Sequence, residues 1–536
     1  MKIVDKFLSA APRQLPQRTE VVLVIILIAL GLVVRIATVD KDSLWVDEGY
    51  TLAISQAPLW QMWTVPFDVH PPLYYTLVKP FLMLGHSAAA VRLLSVFTST
   101  LTLIPIYFLA RWLIGNVGAL MTLAVSSLSF TYLVYANNAR NYSLLLLLCC
   151  TLLAALYQVS RRFLGESEGT RQSLLFWGGL YGASSIAALY THNSAVFYIL
   201  LANIAVAGYA LISHPKRIFS FCLKICLLNA PVVLAWVPWM LVIVSTSEDF
   251  SWLHQPDPAD ALLTTLAVIL PNRSTPLGPW IALAVIGIGA LACLVRDRRT
   301  LIIASCYIAL LPAFIWGFGF IYKPIFMERV ILPALLGSAL LSGAAVAYVK
   351  PRSVAYIFAG VIVAANATSS AAYLLRDKNE TNLGAHTIQD WRDAVQDSVL
   401  VEERTALVLC SAFTYPTVGF YSSRADIFVI RPSGMLTRVD DDTWLRISTL
   451  PVAERENNFL AALDANHRPD DAEDVDWGTL AKTYDHIAAL RADMFCDAQF
   501  TQLASASLAG AGFFAGDVRT YPGVVARSFD RVPASP

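Results

Sequence analysis

Mostly apolar stretches recur along the first 375 positions, at 21–39, 91–110, 117–135, 143–160, 173–190, 194–212, 221–244, 277–295, 300–320, 330–349 and 353–375. A helix needs about 20 residues to cross a bilayer core, so these predict about eleven spans. The segment at 261–270 is too short to cross, and Pro271 closes it. The first stretch follows a basic N-terminus (Lys2, Lys6, Arg13, Arg18) and ends without a small-residue cleavage site. It therefore reads as a retained span and not as a signal peptide. Beyond residue 376 the pattern changes. Trp391 to Asp397 reads as helix, Thr405 to Cys410 and Asp426 to Ile430 as strands, and Ala461 to Ala472 and Thr479 to Ala492 contain helix-like segments. Strands mixed with helices predict a small α/β domain. The expected architecture is a polytopic α-helical membrane protein over residues 1–375, followed by a soluble α/β domain over 376–536.

Composition agrees. Of 536 residues, 56% are hydrophobic and 15% charged, against about 25% charged in soluble chains. The formal net charge of 0 hides a division: residues 376–536 carry 24 acidic and 15 basic side chains, leaving 15 acidic and 24 basic before them. No basic run or basic helix face of the kind that follows nucleic-acid phosphates is present. Basic residues instead mark alternate short loops: Arg111, Arg161-Arg162 with Arg171, Lys216-Arg217 with Lys224, Arg296 with Arg298-Arg299, and Lys350 with Arg352. By the positive-inside rule these join the N-terminus in the cytoplasm. The opposite set (40–87, 137–138, 191–193, 245–260 and 322–329) then lies outside, and an odd span count puts the acidic tail there too. Cys149, Cys150, Cys222, Cys226, Cys293 and Cys306 fall in apolar runs without zinc spacing, while Cys410 and Cys496 lie in the tail and could pair in an oxidising compartment.

The first outer loop is far longer than a connector needs to be. It carries Asp40-Lys41-Asp42, then Leu44-Trp45-Val46-Asp47-Glu48, Trp60, Trp63 and Asp68-Val69-His70-Pro71-Pro72-Leu73-Tyr74-Tyr75. A solvated loop with interfacial aromatics would look similar. The chemical alternative makes Asp47 a general base, with Glu48 or Asp68 as a second acid or orienting group. His70 precedes two prolines that fix its local direction. Asp40-Lys41-Asp42 has the acid-x-acid form of nucleotide-sugar transferases, but it ends a membrane helix and no nucleotide-binding domain surrounds it.

Cations occur on the outer side, where the positive-inside rule disfavours them. Arg140 lies in Asn137-Asn138-Ala139-Arg140-Asn141-Tyr142, His192 ends the fifth span, and Lys323, Glu328 and Arg329 precede the tenth. Each could simply snorkel to lipid phosphates. Together they form a site for a phosphate at the outer leaflet, with arginine giving bidentate recognition. An acidic loop above a cationic pocket describes sugar transfer from a lipid phosphate. A carboxylate deprotonates an acceptor hydroxyl, and cations stabilise the leaving phosphate. No cofactor is then required, and a divalent cation is optional and not indicated.

Leu44-Trp45-Val46-Asp47-Glu48, Asp68 to Tyr75, Arg92-Leu93-Leu94-Ser95, Tyr135 to Tyr142, Leu189-Tyr190-Thr191-His192 and Phe326 to Pro333 together resemble bacterial membrane glycosyltransferases of the GT-C superfamily. The branch is the one similar to protein O-mannosyltransferases and the lipid A aminoarabinose transferase. The resemblance covers roughly residues 20–340. It implies a polyprenyl-phosphate-linked donor, inverting transfer to a glycan, lipid or protein acceptor, and a location in the bacterial cytoplasmic membrane. Carried over by position, the catalytic acid residue is Asp47, with Glu48 next to it, and Arg140, His192 and Arg329 match positions expected near the donor phosphate. Beside these, Tyr142 and Lys323 are further candidates for the phosphate, and Asp68, His70 and Tyr74 for the acceptor and sugar side. Relatives often carry Gln-Glu where this chain has Asn137-Asn138, so a role for that glutamate is absent or altered here. A flippase for a lipid-linked saccharide would share the spans and the cations. The chain shows no inverted repeat, however, and its long acidic loop and one-sided tail suit surface chemistry better. A polysaccharide polymerase or ligase would differ mainly in donor size, with 245–276 a poor candidate for its large outer loop. A purely structural membrane scaffold is the remaining reading.

Overall fold

The computed structural model describes residues 7–9, 11–64, 68, 70–85, 87–168, 170–245, 253–270, 277–376, 389–400, 404–422, 424–431, 434–439, 474–492, 496 and 498–532. The helical segment expected at 461–472 and part of the outer stretch at 245–260 lie outside these. Among the described residues, eight helices are long and apolar enough to cross a membrane: Gln17–Thr38, Ala88–Ser127, Tyr142–Phe163, Ala195–Ser213, Pro215–Val242, Gly278–Arg296, Arg298–Phe318 and Arg352–Leu375. Arg171–Leu189 and the 15-residue Ala334–Tyr348 lie on two further expected spans.

One boundary differs. The stretches expected at 91–110 and 117–135 are two helices within Ala88–Ser127 that meet at Ile114 and Gly115, in the loop expected at Arg111, where Gly115 takes φ +72°. A short helix, Phe130–Ala136, then restarts, with the Ser129 side chain capping the amide of Tyr132. The apolar stretch at 117–135 hid this second break because hydrophobicity continues across it.

Ala334–Tyr348 is buried along its whole length and packs against the Ala88–Ser127 run. Gly343 makes this close approach feasible: a Cβ there would overlap the Thr122 hydroxyl and the Gly118 carbonyl. Two buried charges inside the bundle are held by polar neighbours, as an apolar solvent demands. Glu20 takes hydrogen bonds from Arg111, Tyr107 and Asn116. Arg35 donates to Ser99 Oγ at 2.9 Å and to the carbonyls of Gly31 and Ser127.

The alternate loops gather at opposite ends of the bundle. At one end Arg13 reaches the Val346 carbonyl, and Glu166 joins His214 and Arg299. At the other, Leu73 N–H donates to Tyr190 O, Asn141 to Thr191 O, and Ala139 N–H to Glu48.

Beyond the bundle, the described residues form a seven-stranded sheet of order β4-β3-β2-β1-β5-β7-β6. Its strands are β1 (Thr405–Leu409), β2 (Asp426–Ile430), β3 (Leu436–Val439), β4 (Asp474–Val475), β5 (His486–Ala492), β6 (Phe513–Tyr521) and β7 (Val524–Arg531). β1 pairs in parallel with β2 and β5, and the remaining pairs are antiparallel. Thr479 to Ala492 is thus divided between the end of helix Trp477–Thr483 and a central strand. All five β1 residues are buried, as a strand covered on both faces requires. Ala406 and Val408 face the helices Trp477–Thr483 and Gln499–Ala509. Leu407 and Leu409 face Trp391–Gln396 and Tyr415–Tyr421. That second layer also includes Val46 from the first outer loop.

Cys410 and Cys496 form a disulfide across 86 residues of sequence, between the end of β1 and the start of the last helix. Closing so long a loop restricts the unfolded chain, so Cys410→Ser should destabilise the sheet domain by about 2–4 kcal/mol. Thermal unfolding of the full-length protein, with and without reductant, checks this. The wild type should fall to the variant's midpoint on reduction, and the variant should not respond.

Candidate functional site

The outer loop enters the bundle through a buried ion pair. Helix Val46–Gln56 starts at Trp45, and Glu48 in its first turn accepts from Trp45 N–H at 3.2 Å. The same carboxylate, fully buried, receives Arg92 Nε at 2.7 Å, Arg92 Nη2 at 2.6 Å and Ala139 N–H at 2.6 Å. Arg92 spends its remaining donors on the carbonyls of Val39, Asp42 and Ser43. This corrects the placing of Glu48 beside the base as a reacting acid: its oxygens are saturated and enclosed, and it is an anchor.

Asp47, one residue earlier and about 100° around the helix, points elsewhere. Its side chain is 33% exposed, and Oδ2 lies 4.0 Å from Arg140 Nε. Arg140, 5% exposed, reaches Asp68 Oδ2 through Nη2 at 3.3 Å and the Asp47 carbonyl through Nη1 at 3.3 Å. Tyr75 donates its hydroxyl to Asp68 and lies 3.4 Å from Arg140 Nη1. Tyr74 is fully buried, with its hydroxyl on Ser95 Oγ at 2.7 Å. Expecting Tyr74 at the site is therefore corrected to Tyr75; neighbours on a helix cannot face the same way.

His70 and His192 meet ring to ring, with centroids 4.4 Å apart. Ser194 N–H donates to His192 Nδ1 at 3.0 Å, which leaves the His192 proton on Nε2. Tyr142 stands 6.1 Å from His192, and the Arg329 guanidinium lies 6.0 Å from the Tyr142 ring. Asp68 and His70 thus stand with the cations rather than opposite them, as the acceptor-side assignment had it. Lys323 lies beside the Tyr322 ring at 5.6 Å and does not line the cavity described next.

That cavity, of about 270 Å³, is bounded by Trp45, Asn138, Tyr142, Glu328 and Arg329 among others. Two buried polar atoms of its lining residues, Trp45 Nε1 and Asn138 Oδ1, have no hydrogen-bond partner among the described residues. Buried polar atoms normally find partners, so these two can serve a polar ligand. No group of three or more His, Cys, Asp or Glu side chains suited to a metal is present among the described residues.

Arg92, Tyr75 and Glu328 escaped the sequence reading as site residues. A lone arginine in the first turn of an apolar span was the available sign for Arg92, since such a charge needs a buried partner. Nothing in the sequence separates Tyr75 from Tyr74 before the helix phase is known. Glu328 was noted only as a neighbour of Arg329.

No protein-family model matches this chain, and no curated protein matches it in sequence. Solved structures do. ArnT from Cupriavidus metallidurans in the apo state superposes with a TM-score of 0.61 at 14% identity, covering 94% of this chain and 97% of that one. The same enzyme bound to undecaprenyl phosphate gives 0.58 at 15% identity, over 96% and 99%. The apo oligosaccharyltransferase of Archaeoglobus fulgidus gives 0.50 at 12% identity, over 76% and 64%. The chain accordingly has the GT-C fold.

Two predictions follow from the geometry. Arg92→Leu strands the Glu48 carboxylate without its partner and should cost about 3–5 kcal/mol. Adding Glu48→Gln, which keeps an acceptor for Ala139 N–H, should return part of the loss in thermal unfolding. The second concerns pH. Burial, with Arg140 and Arg329 nearby, holds His70 well below its usual 6.5. Burial, His70 itself and the two arginines do the same to His192. Both rings are neutral when folded, so the unfolded chain gains protons as the pH falls through 6.5 and stability is lost below it. Burial raises Glu328 to about 7 against the pull of Arg329. Its contribution runs the other way, growing as the pH falls from 7. Two imidazoles outweigh one carboxyl, so the melting temperature should drop between about pH 6.5 and 5.5, and His70→Gln should flatten the drop.

Proposed function

We propose that this protein transfers a sugar, a hexose or a pentose, from a polyprenyl-phosphate donor to a hydroxyl on a lipid, glycan or protein, with inversion. The observation that carries the reading is the buried Arg140 facing the partly exposed Asp47, with Arg329 and a cavity beside them. In this reading Arg140 and Arg329 bind the donor phosphate, and the Nε2–H of His192 gives a further donor. Asp47 takes the proton of the acceptor hydroxyl as its oxygen attacks the anomeric carbon. The bond from that carbon to the phosphate oxygen breaks on the opposite face, and its electron pair leaves with the phosphate. The products are a glycoside of inverted configuration and a polyprenyl phosphate, and the proton on Asp47 escapes through its exposed edge. The charge that develops is on the leaving phosphate, where the guanidiniums are already in place. A divalent cation is therefore no requirement. The similarity to ArnT, which has been crystallised with undecaprenyl phosphate, supports a lipid-borne donor.

For orientation we propose eleven crossings of the bacterial cytoplasmic membrane, with residues 1–375 as the transferase body, the loop at 40–90 outside and 376–536 as an extracytoplasmic domain. The clustering of basic loops at one end of the bundle supports this sense. The Cys410–Cys496 disulfide in the tail fits an oxidising compartment.

The test is sugar transfer by the purified protein in lipid nanodiscs, with a panel of polyprenyl-phosphate sugars, nucleotide sugars alongside, and an envelope-lipid extract as acceptor. Turnover is expected from a lipid-linked donor, unchanged by EDTA. Asp47→Asn should lower it by about 10²–10⁴ while donor binding persists. Turnover from nucleotide sugars alone would overturn both the orientation and the mechanism. Full activity of Asp47→Asn would move the base elsewhere.

A further inference from the structure

Helix Val46–Gln56, which carries Asp47, has two buried sides. Glu48 and Thr51 face Arg92 and Arg140 in the membrane body. Val46, Gly49, Tyr50 and Ala53, at intervals of three and four, make the other side. Val46 is part of the core of the sheet domain, in one cluster with Trp391, Tyr415 and Val418, and Tyr50 and Ala53 pack against that cluster. Gly49 sits on helix Tyr415–Tyr421: a Cβ there would overlap the Thr417 hydroxyl and stand 2.8 Å from the Thr417 nitrogen and 3.1 Å from its Cα. The first amide of a helix has no partner within it; here Val46 N–H donates to Gln389 Oε1 at 3.2 Å. Just upstream, Leu44 N–H donates to Tyr421 OH at 2.8 Å.

We infer that the C-terminal domain sets the position of the catalytic base, with Gln389 and Thr417 as positioning residues that fix the N-terminal end of the Asp47 helix against Arg140. The inference rests on the transferase reading above and adds to it a role for the domain within the reaction centre. From the membrane side the helix is held by Glu48 on Arg92, by Arg140 on the Asp47 carbonyl and the Thr51 hydroxyl, and by Leu52 and Ile54 packed beside Val91 and Leu94. The seat at Gly49 and the cap at Val46 fix its opposite side and its first turn. A second set of contacts keeps the domain attached independently of this seat. Arg392, in the first turn of the domain's Trp391 helix, pairs with Asp40 at 2.9 Å, and its N–H donates to Ser43 Oγ at 3.0 Å. Disturbing Thr417 or Gly49 therefore shifts the base without releasing the domain.

Gly49→Ala isolates the effect, because alanine is the better helix former and the helix itself gains by the change. Only the seat is lost. With the full-length protein in nanodiscs, kcat should fall on the order of 10²-fold, the scale of a displacement of about 1 Å. The KM for the lipid donor, and the binding of undecaprenyl phosphate measured by isothermal titration calorimetry, should stay near wild type, the mark of an interaction used only in the transition state. Gly49→Ala with Thr417→Ala should recover part of kcat. Gln389→Leu should repeat the kcat-only loss, and Gln389→Glu, which keeps an acceptor for Val46 N–H, should be close to wild type. An unchanged kcat in Gly49→Ala overturns the inference, as does a parallel loss of kcat and undecaprenyl phosphate binding. If Gly49→Ala does not fold, the Gln389 pair decides, and equal kcat in Gln389→Leu and Gln389→Glu overturns it. Variant-to-wild-type ratios read the positioning, whereas any transfer by the wild type reads the underlying reaction, so the two fail separately.

Discussion

The buried pairing of Arg92 with Glu48 is the constraint on which the outer half of the molecule depends. One guanidinium gathers the end of the first membrane helix at Val39, the turn at Asp42 and Ser43, and the first turn of the Asp47 helix. The carboxylate in return holds the amide of Ala139 and so the turn that delivers Arg140. Neither charge can leave the other without a large desolvation cost, which makes the junction all-or-none and not adjustable. The positions of Asp47 and Arg140 follow from it, because both are next-door neighbours of groups it fixes.

The membrane body was legible because the bilayer imposes a length, and about 20 apolar residues in a row admit few alternatives. Each expected span falls on helix. The break between Ser127 and Phe130 was not legible, since the apolar stretch expected at 117–135 continues through it. In the tail, β1, β2 and the Trp391 helix were found by short-range pattern, but His486–Ala492 was merged with the helix before it. A fully buried central strand carries no alternation to distinguish it.

The site was partly legible. Aromatic, acidic and cationic residues on outer loops marked the region, and the structure does bring Asp47, Asp68, His70, Arg140, Tyr142, His192 and Arg329 together. Which of them face which was beyond reach. His70 meets His192 across more than a hundred residues of sequence, and no spacing rule predicts such a contact. Asp40 and Asp42 turned out to be tethers for Arg392 and Arg376, a use that appears only once the tail is folded.

Adjacent acids in one short helix divide their labour by geometry. Glu48 is the longer and lies on the inward side, where Arg92 and two amides saturate it. Asp47 is the shorter and sits at the rim, near one arginine and open to solvent. Exchanging the two types would fail on both counts. An aspartate at 48 falls short of the Arg92 fork by a methylene, and a glutamate at 47 moves the carboxylate by a methylene from its place beside Arg140. The repulsion between neighbouring carboxylates, which made this dipeptide conspicuous in the sequence, is relieved because one of them is neutralised inside the protein. The other is thereby left as the exposed carboxylate of the pair.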